Sequence, residues 1–349
     1  MSHSSAATVQ PETRASPGRI FVLGRNRSGT KWLTNQISNH PQVAAITAAN
    51  TGVLEANLFE HLPRMFGDLT INDHYYAFLA AFMKSSYFHR SGLPESCLFE
   101  QRHDDYLEFF STFMDNLAHS RGASHWLQKG SSHMFPVLLE RFPDAKFIVM
   151  RREDVLANVR SSVALKGAAS AARNKPLLVA RELASYYLHR AIELDHLHHP
   201  NVHLVTYERL SGAKAEVMRE VCAYLELEFD DVVLEDAFPP NTSFARSKPT
   251  EVFTQRDLRT FALLRPLFSS LPADVLLGLQ RLRPKRGPRK GQRLLIAGAF
   301  RTFRNDVEAR NSKAANGGKQ DPAAGSIGPV AGVLEAGSER PDGDENPTR

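Results

Sequence analysis

GRNRSGTKW, residues 24–32, keeps the spacing of a phosphate-binding loop but not its spelling. Such a loop reads G-x-x-x-x-G-K-[ST], with the lysine on the β/γ-phosphates and the hydroxyl on Mg²⁺. Here Gly24 and Gly29 stand at the right separation, but the next two residues are Thr30 and Lys31, in reversed order. The residues before the loop, RIFVLG (19–24), form a short apolar run ending in Gly and predict a buried parallel strand. Residues 30–39 after it hold no helix breaker and stop at His40-Pro41, as a helix does. Strand, loop and helix N-terminus therefore come in the order that lets backbone N–H groups and the helix dipole hold an anion.

The same alternation continues along the chain. Leu107, Phe110, Met114 and Leu117 share one helical face, and a second helix is predicted from Pro176 to about Asp195, with Pro at its first position. AKFIVM (145–150) predicts another buried strand and runs into Arg151-Arg152 and a helical pattern. NVHLVTYERL (201–210) predicts a third, followed by a helix with Val217, Val221 and Leu225 on one side. Strands alternating with helices make the fold class α/β, a P-loop NTPase-like parallel sheet flanked by helices, with helical insertions at about 54–121. Phe59, Phe66, Tyr75, Tyr76, Phe78, Phe82, Tyr87 and Phe88 in that insertion could line an acceptor pocket; as a helical core they need no further explanation.

The strand at 145–150 bears on the reversed loop. A nucleotide hydrolase or kinase needs a second carboxylate for Mg²⁺, usually at the end of an apolar strand. This strand ends in two arginines, so a second anionic group is expected there, on the neighbouring strand end to the loop. The competing reading is that Arg151 and Arg152 pair with Glu153, Asp154 or another acid.

The remaining features set bounds. The chain has 349 residues, 42% of them hydrophobic, a net charge of +5, and two cysteines, Cys97 and Cys222. A disulfide framework is not indicated, and a reducing compartment fits. Residues 1–18 lack the apolar region of a secretory signal, and no apolar run reaches the ~20 residues of a membrane span. The expectation is a cytoplasmic protein with disordered tails at 1–18 and 312–349 around one domain at 19–311. Residues 281–304 carry nine Lys/Arg and no acid, which fits a solvated edge, an anionic ligand or peripheral membrane contact. Within it Arg289-Lys290-Gly291 is a minor candidate for phosphate contact. His196, His198 and His199 beside Asp195 end a helix with no second ligand set, and no metal site is expected.

RSGTKW, HPQV, QKGSSH, FPDAKFIVMRREDVLANVRSS and VTYERL…VMREVCAYLELEF come in an order that resembles sulfotransferases using 3′-phosphoadenosine 5′-phosphosulfate (PAPS). The resemblance covers about residues 19–244 and is to the branch whose loop reads R-S-G-T, which includes tyrosylprotein, carbohydrate and bacterial sulfotransferases. It implies a metal-independent loop in which Arg27 meets the 5′-phosphosulfate, with Ser28, Gly29, Thr30 and Lys31 as further donors and Trp32 closing the donor set. It places the 3′-phosphate on Arg151 and a serine about two helical turns later. Here Asn158 stands at that place and Ser161 one turn beyond.

The resemblance also implies a hydroxyl-bearing acceptor (glycan, lipid-linked sugar or small alcohol) and no nucleic-acid partner. Its chemistry needs a base for the acceptor proton and a cation for the moving sulfonate. Glu55 is the first candidate base and Glu60 the second, although Glu55 could equally face solvent at a helix start. His133 in QKGSSH is the rival, with a structural histidine as its alternative. Lys129 matches a lysine that stabilises the transferring group, and Ser243 is a weaker supporting hydroxyl. Two readings compete: a Mg-ATP-dependent small-molecule kinase on the same loop architecture, and a non-catalytic anion-binding module. Tyr207-Glu208 is expected to anchor the third strand.

Overall fold

The computed structural model describes residues 16–49, 52–55, 62–167, 175–236 and 253–281. Two compact units are present, one of Met1–Ala56 with Phe110–Pro284 and one of Asn57–Phe109 with Lys285–Arg349. Strands are β1 (Gly18–Leu23), β2 (Val43–Ala44), β3 (Thr47–Ala48), β4 (Gly52–Val53), β5 (His125–Gly130), β6 (Lys146–Arg151) and β7 (Val202–Thr206). The helices are α1 (Thr30–Ser38), α2 (Leu62–Phe66), α3 (Asn72–Met83), α4 (Ser86–Ser91), α5 (Tyr106–Ser120), α6 (Phe135–Arg141), α7 (Val155–Gly167), α8 (Lys175–His196), α9 (Tyr207–Gly212), α10 (Lys214–Tyr224), α11 (Gln255–Ser270) and α12 (Ala273–Arg281).

The first unit is built on a parallel sheet in the order β2-β5-β1-β6-β7. Its central strand is the apolar run read first, and Ile20 to Leu23 have no exposed surface. Successive side chains point to opposite faces, so a strand covered on both sides must be apolar throughout. Ile20 and Val22 pack with Leu33, Ile37, Val217, Met218 and Val221. Phe21 faces the other way, where Trp126 meets its ring edge-on at 5.3 Å and Phe147 stacks at 5.4 Å. Truncating such a fully buried ring costs about 3–5 kcal/mol. A further cluster joins Val155, Val159 and Val163 of α7 to Val179, Leu183 and Tyr186 of α8 and Phe261 of α11.

The second unit holds α2, α3, α4 and the start of α5. Phe66, Tyr75, Phe78, Phe82, Tyr87 and Phe88 are buried and Tyr76 is half-buried; Phe78 touches Phe82, Tyr106 and Phe109 at ring distances of 5.9, 5.1 and 4.8 Å. Core, the simpler of the two readings of these aromatics, describes the buried ones; Phe59 lies outside the described residues.

Two elements differ from the sequence reading. The third predicted strand ends at Thr206, whose hydroxyl caps α9 by accepting from Arg209 N, so YERL is helical. A serine-like cap outcompetes the extended propensity of the Val-Thr-Tyr run. HWLQKG forms β5, which the apolar criterion passed over because its apolar content is confined to Trp126 and Leu127. The β2, β3 and β4 pairs are two residues each, too short for any periodicity to mark. Of the expected N-terminal tail, residues 16–18 are described and Gly18 opens β1, while residues 1–15, the C-terminal tail and 282–304, including 289–291, lie outside the described residues.

Candidate active site

The loop leaves β1 at the middle of the sheet, beside the end of β6. Ser28 N donates to Arg25 O at 3.2 Å, closing a turn in which Arg27 has φ 72°. Gly29 follows at φ 95°, and a Cβ there would lie 2.8 Å from both Met150 and Tyr207 side chains. Gly29 is also the cap position of α1, where no side chain accepts from the first turn and no acid stands in that turn. The N–H groups and positive dipole end of α1 are thus left for a ligand anion.

Cations crowd this end. Burial, and then the charge of Arg152, lowers the pKa of Arg27 from its ordinary value. Burial lowers that of Lys31, with Lys129 and Arg27 adding repulsion. Positive charges that depress one another while losing water are stabilised by a bound anion. Arg27 Nε donates to Ser161 Oγ at 2.6 Å, tying the loop to α7. Arg152 lies over the Tyr207 ring at 4.6 Å, and Tyr207 in turn meets Trp32 edge-on at 5.9 Å.

At the adjacent strand end Arg151 is buried. Its Nε meets Glu193 Oε2 at 3.1 Å and its Nη1 meets Glu153 Oε1 at 3.5 Å, while Nη2 is buried without a hydrogen-bond partner. Arg151 therefore pairs with acids, as the competing sequence reading expected, and keeps one buried donor unsatisfied. Glu193 also accepts from Ser132 Oγ at 2.7 Å, and burial pushes its pKa up. Glu208 accepts from the backbone N–H groups of Glu153 and Asp154, each at 3.1 Å, so it anchors the β6–α7 turn rather than a strand. Asn158 is fully buried and accepts from Arg25 while its Nδ2 donates to Ser28 Oγ at 3.2 Å.

Glu55 reaches the same sheet end from the β3–β4 hairpin. It bridges Lys129 in parallel fashion, and its Oε2 lies 3.1 Å from Lys129 Nζ. The hairpin is latched to α1, since Val53 N donates to Asn35 Oδ1 at 2.9 Å. Gly52, at φ 74°, permits that approach because a Cβ would fall 2.2 Å from the same Oδ1. His133 sits in the turn after β5 with its ring centroid 4.0 Å from that of His189. Glu60 and Ser243 lie outside the described residues.

Sequence reasoning missed Arg25, Asn35 and Glu193, and named Arg152 only as the neighbour of Arg151. Arg25 was visible as a charged residue between a strand-end glycine and a turn, but its partner Glu182 is 157 residues away. Asn35 reads as an ordinary polar helix residue until the hairpin closes on it.

A model of the sulfotransferase family matches residues 17–231. No curated protein matches the chain. Among solved structures, the sulfotransferase domain from the Synechococcus PCC 7002 olefin synthase is similar at 15% identity and TM-score 0.42, over 83% of this chain and 97% of that one. Mouse sulfotransferase SULT7A1 complexed with PAP is similar at 14% identity and TM-score 0.42, over 76% and 88%. Sulfotransferase STF9 from Mycobacterium avium is similar at 15% identity and TM-score 0.43, over 79% of each chain. These likenesses are too distant to transfer the role of any residue.

Proposed function

Because the chain belongs to the sulfotransferase family, we propose that it moves the sulfuryl group of PAPS to a hydroxyl acceptor, with its own cations in place of a metal. The observation that carries this reading is the pairing of two anion-seeking ends on adjacent strands. One is the uncapped α1 N-terminus with Arg27 and Lys31, and the other is the buried, unsatisfied Nη2 of Arg151. A donor with phosphates at both its 5′ and 3′ positions fits two such ends.

In this reading Arg27, Ser28, Gly29, Thr30 and Lys31 hold the 5′-phosphosulfate, and Trp32 flanks it. Arg151 takes the 3′-phosphate, and Ser161 on α7 accepts from Arg27. Glu55 accepts the proton of the acceptor hydroxyl as its oxygen bonds to sulfur and the bond from sulfur to the phosphate oxygen breaks. Lys129 neutralises the equatorial sulfonate oxygens as charge moves to the leaving 5′-phosphate, a task that rewards fixed dipoles and cations. His133, its ring tilted at 35° against that of His189, is left a structural part in this reading. No helix among the described residues is long and apolar enough to cross a membrane.

The test is a thermal-shift comparison of 3′,5′-adenosine bisphosphate with ATP, each with and without Mg²⁺, on wild type and Arg151→Ala. A ligand at ~100 times its Kd adds about 2.7 kcal/mol of stability. Stabilisation by the bisphosphate without metal, lost in Arg151→Ala, supports the donor assignment. Stabilisation by ATP with Mg²⁺ alone would instead indicate a kinase.

A further inference from the structure

Arg25 is a buried cation inside the loop, and nothing in the proposed chemistry uses it. Its side chain is 5% exposed and pairs at 2.8 Å with Glu182 Oε2, itself 2% exposed, on α8. The same Nη2 donates to Glu182 O at 3.0 Å; Nη1 donates to Ser162 Oγ at 3.0 Å and to Asn158 Oδ1 on α7. We infer that Arg25 and Asn158 form a hydrogen-bond relay that turns the Ser28 hydroxyl proton toward the anionic group held by the loop. This rests on the reading of the loop as the donor site.

The argument is one of hydrogen-bond direction. A guanidinium only donates, so the amide atom of Asn158 that faces Arg25 is its oxygen. The amide nitrogen then faces Ser28 Oγ at 3.2 Å, and because that nitrogen only donates, the hydroxyl oxygen accepts. The single proton of Ser28 is thereby excluded from this contact and left for another acceptor. Ser28 is 2% exposed and lies between Arg27 and the uncapped start of α1, so that acceptor is the ligand of the loop. Without Arg25 the amide can turn over, present its oxygen to Ser28 and capture the proton. Asn158 thus acts as a positioning residue for the 5′ end of the donor, and its amide is already engaged at both ends rather than held ready for the 3′-phosphate.

The experiment measures the affinity of the whole protein for 3′,5′-adenosine bisphosphate in Arg25→Lys and Arg25→Gln, each with Ser28 present and in a Ser28→Ala background. Lysine still only donates, whereas the glutamine amide both donates and accepts and lets Asn158 turn. Arg25→Lys is expected to stay within about threefold of wild type and Arg25→Gln to bind about ten- to a hundredfold more weakly, the range for a hydrogen bond to a charged group. In the Ser28→Ala background the two variants are expected to bind alike.

Equal loss in Lys and Gln, no loss in either, or a Lys–Gln difference that persists without Ser28 would each overturn the relay. If Arg25→Gln does not fold, the apolar pair Arg25→Met with Glu182→Met replaces it, since removing both partners of a buried ion pair is often tolerated. If wild type binds only ATP with Mg²⁺, the donor reading fails and the same cycle is read with that nucleotide. A wild type that binds neither overturns the relay as well.

Discussion

Glu55 Oε2 and Lys129 Nζ lie 3.1 Å apart across a parallel bridge between segments 74 residues apart in sequence. The pair joins the candidate base to the candidate cation in one contact. Lys129 is the more buried of the two, at 13% side-chain exposure against 37% for Glu55, so the lysine is fixed and the carboxylate has room to turn to an acceptor.

Glu55→Gln is therefore expected to lower kcat by about 10²–10⁴, the usual worth of a positioned base. Affinity for 3′,5′-adenosine bisphosphate should be unchanged. His133→Asn should retain kcat within about fivefold, because a ring packed against His189 in a structural role contributes no proton transfer. Transfer of labelled sulfuryl to a panel of hydroxyl acceptors, with bisphosphate titrations alongside, checks both. A large kcat loss in His133→Asn with Glu55→Gln active would reverse the assignment.

Asn35 supports Glu55 without approaching the chemistry. Asn35→Leu removes the acceptor of Val53 N–H and is expected to destabilise the fold by about 1–3 kcal/mol. It should also lower kcat while leaving donor affinity intact. Urea unfolding together with separate kcat and donor-affinity measurements checks this, and a parallel loss of donor affinity would mean that the hairpin also supports the loop.

Arg27 holds a left-handed backbone, φ 72°, that a side chain adopts at a cost of about 1–2 kcal/mol. Arg27→Gly relieves that strain and loses backbone entropy in exchange, so stability should stay within about 1 kcal/mol of wild type. Bisphosphate affinity should fall at least about tenfold through the lost charged contacts. Loss of fold without ligand, seen by circular dichroism, would show that Arg27 is structural instead.

Lys31 makes the loop pH-sensitive. Burial first, then Lys129 and Arg27, hold its pKa below the ordinary 10.5. Between that lowered value and 10.5 the unfolded chain binds more protons than the folded one, so stability rises with pH across this window. The rise should be absent in Lys31→Met, and the thermal shift given by the bisphosphate should shrink over the same window as the cation is lost. Identical pH slopes for wild type and Lys31→Met would show that Lys31 keeps an ordinary proton affinity.

The parts of the fold that could be read from the chain are those whose signal is local. β1 is apolar from Ile20 to Leu23 because both faces are covered there, and α1 stops where His40-Pro41 can no longer continue it. The paired arginines at the end of β6, Arg151 within it and Arg152 just past it, could be read from composition alone. The sequence reading expected the loop and this end on neighbouring strands, and the sheet order makes β1 and β6 direct neighbours.

What only the tertiary structure decided is how those charges are held. Arg25 lies two residues before Arg27 and carries the same charge, yet it is buried against Glu182 while Arg27 is left half-buried at the mouth of the loop. Arg151 gives two of its nitrogens to acids and keeps a third unsatisfied, a division set by Glu193 on a helix 42 residues further on. The physical reason is that burial and hydrogen-bond direction depend on partners brought in by long-range packing, whereas strand and helix patterns depend on near neighbours. The sequence by itself determined the strand, loop and helix that carry these charges; the partners that α7 and α8 bring to Arg25 and Arg151 decided which of them are buried against acids.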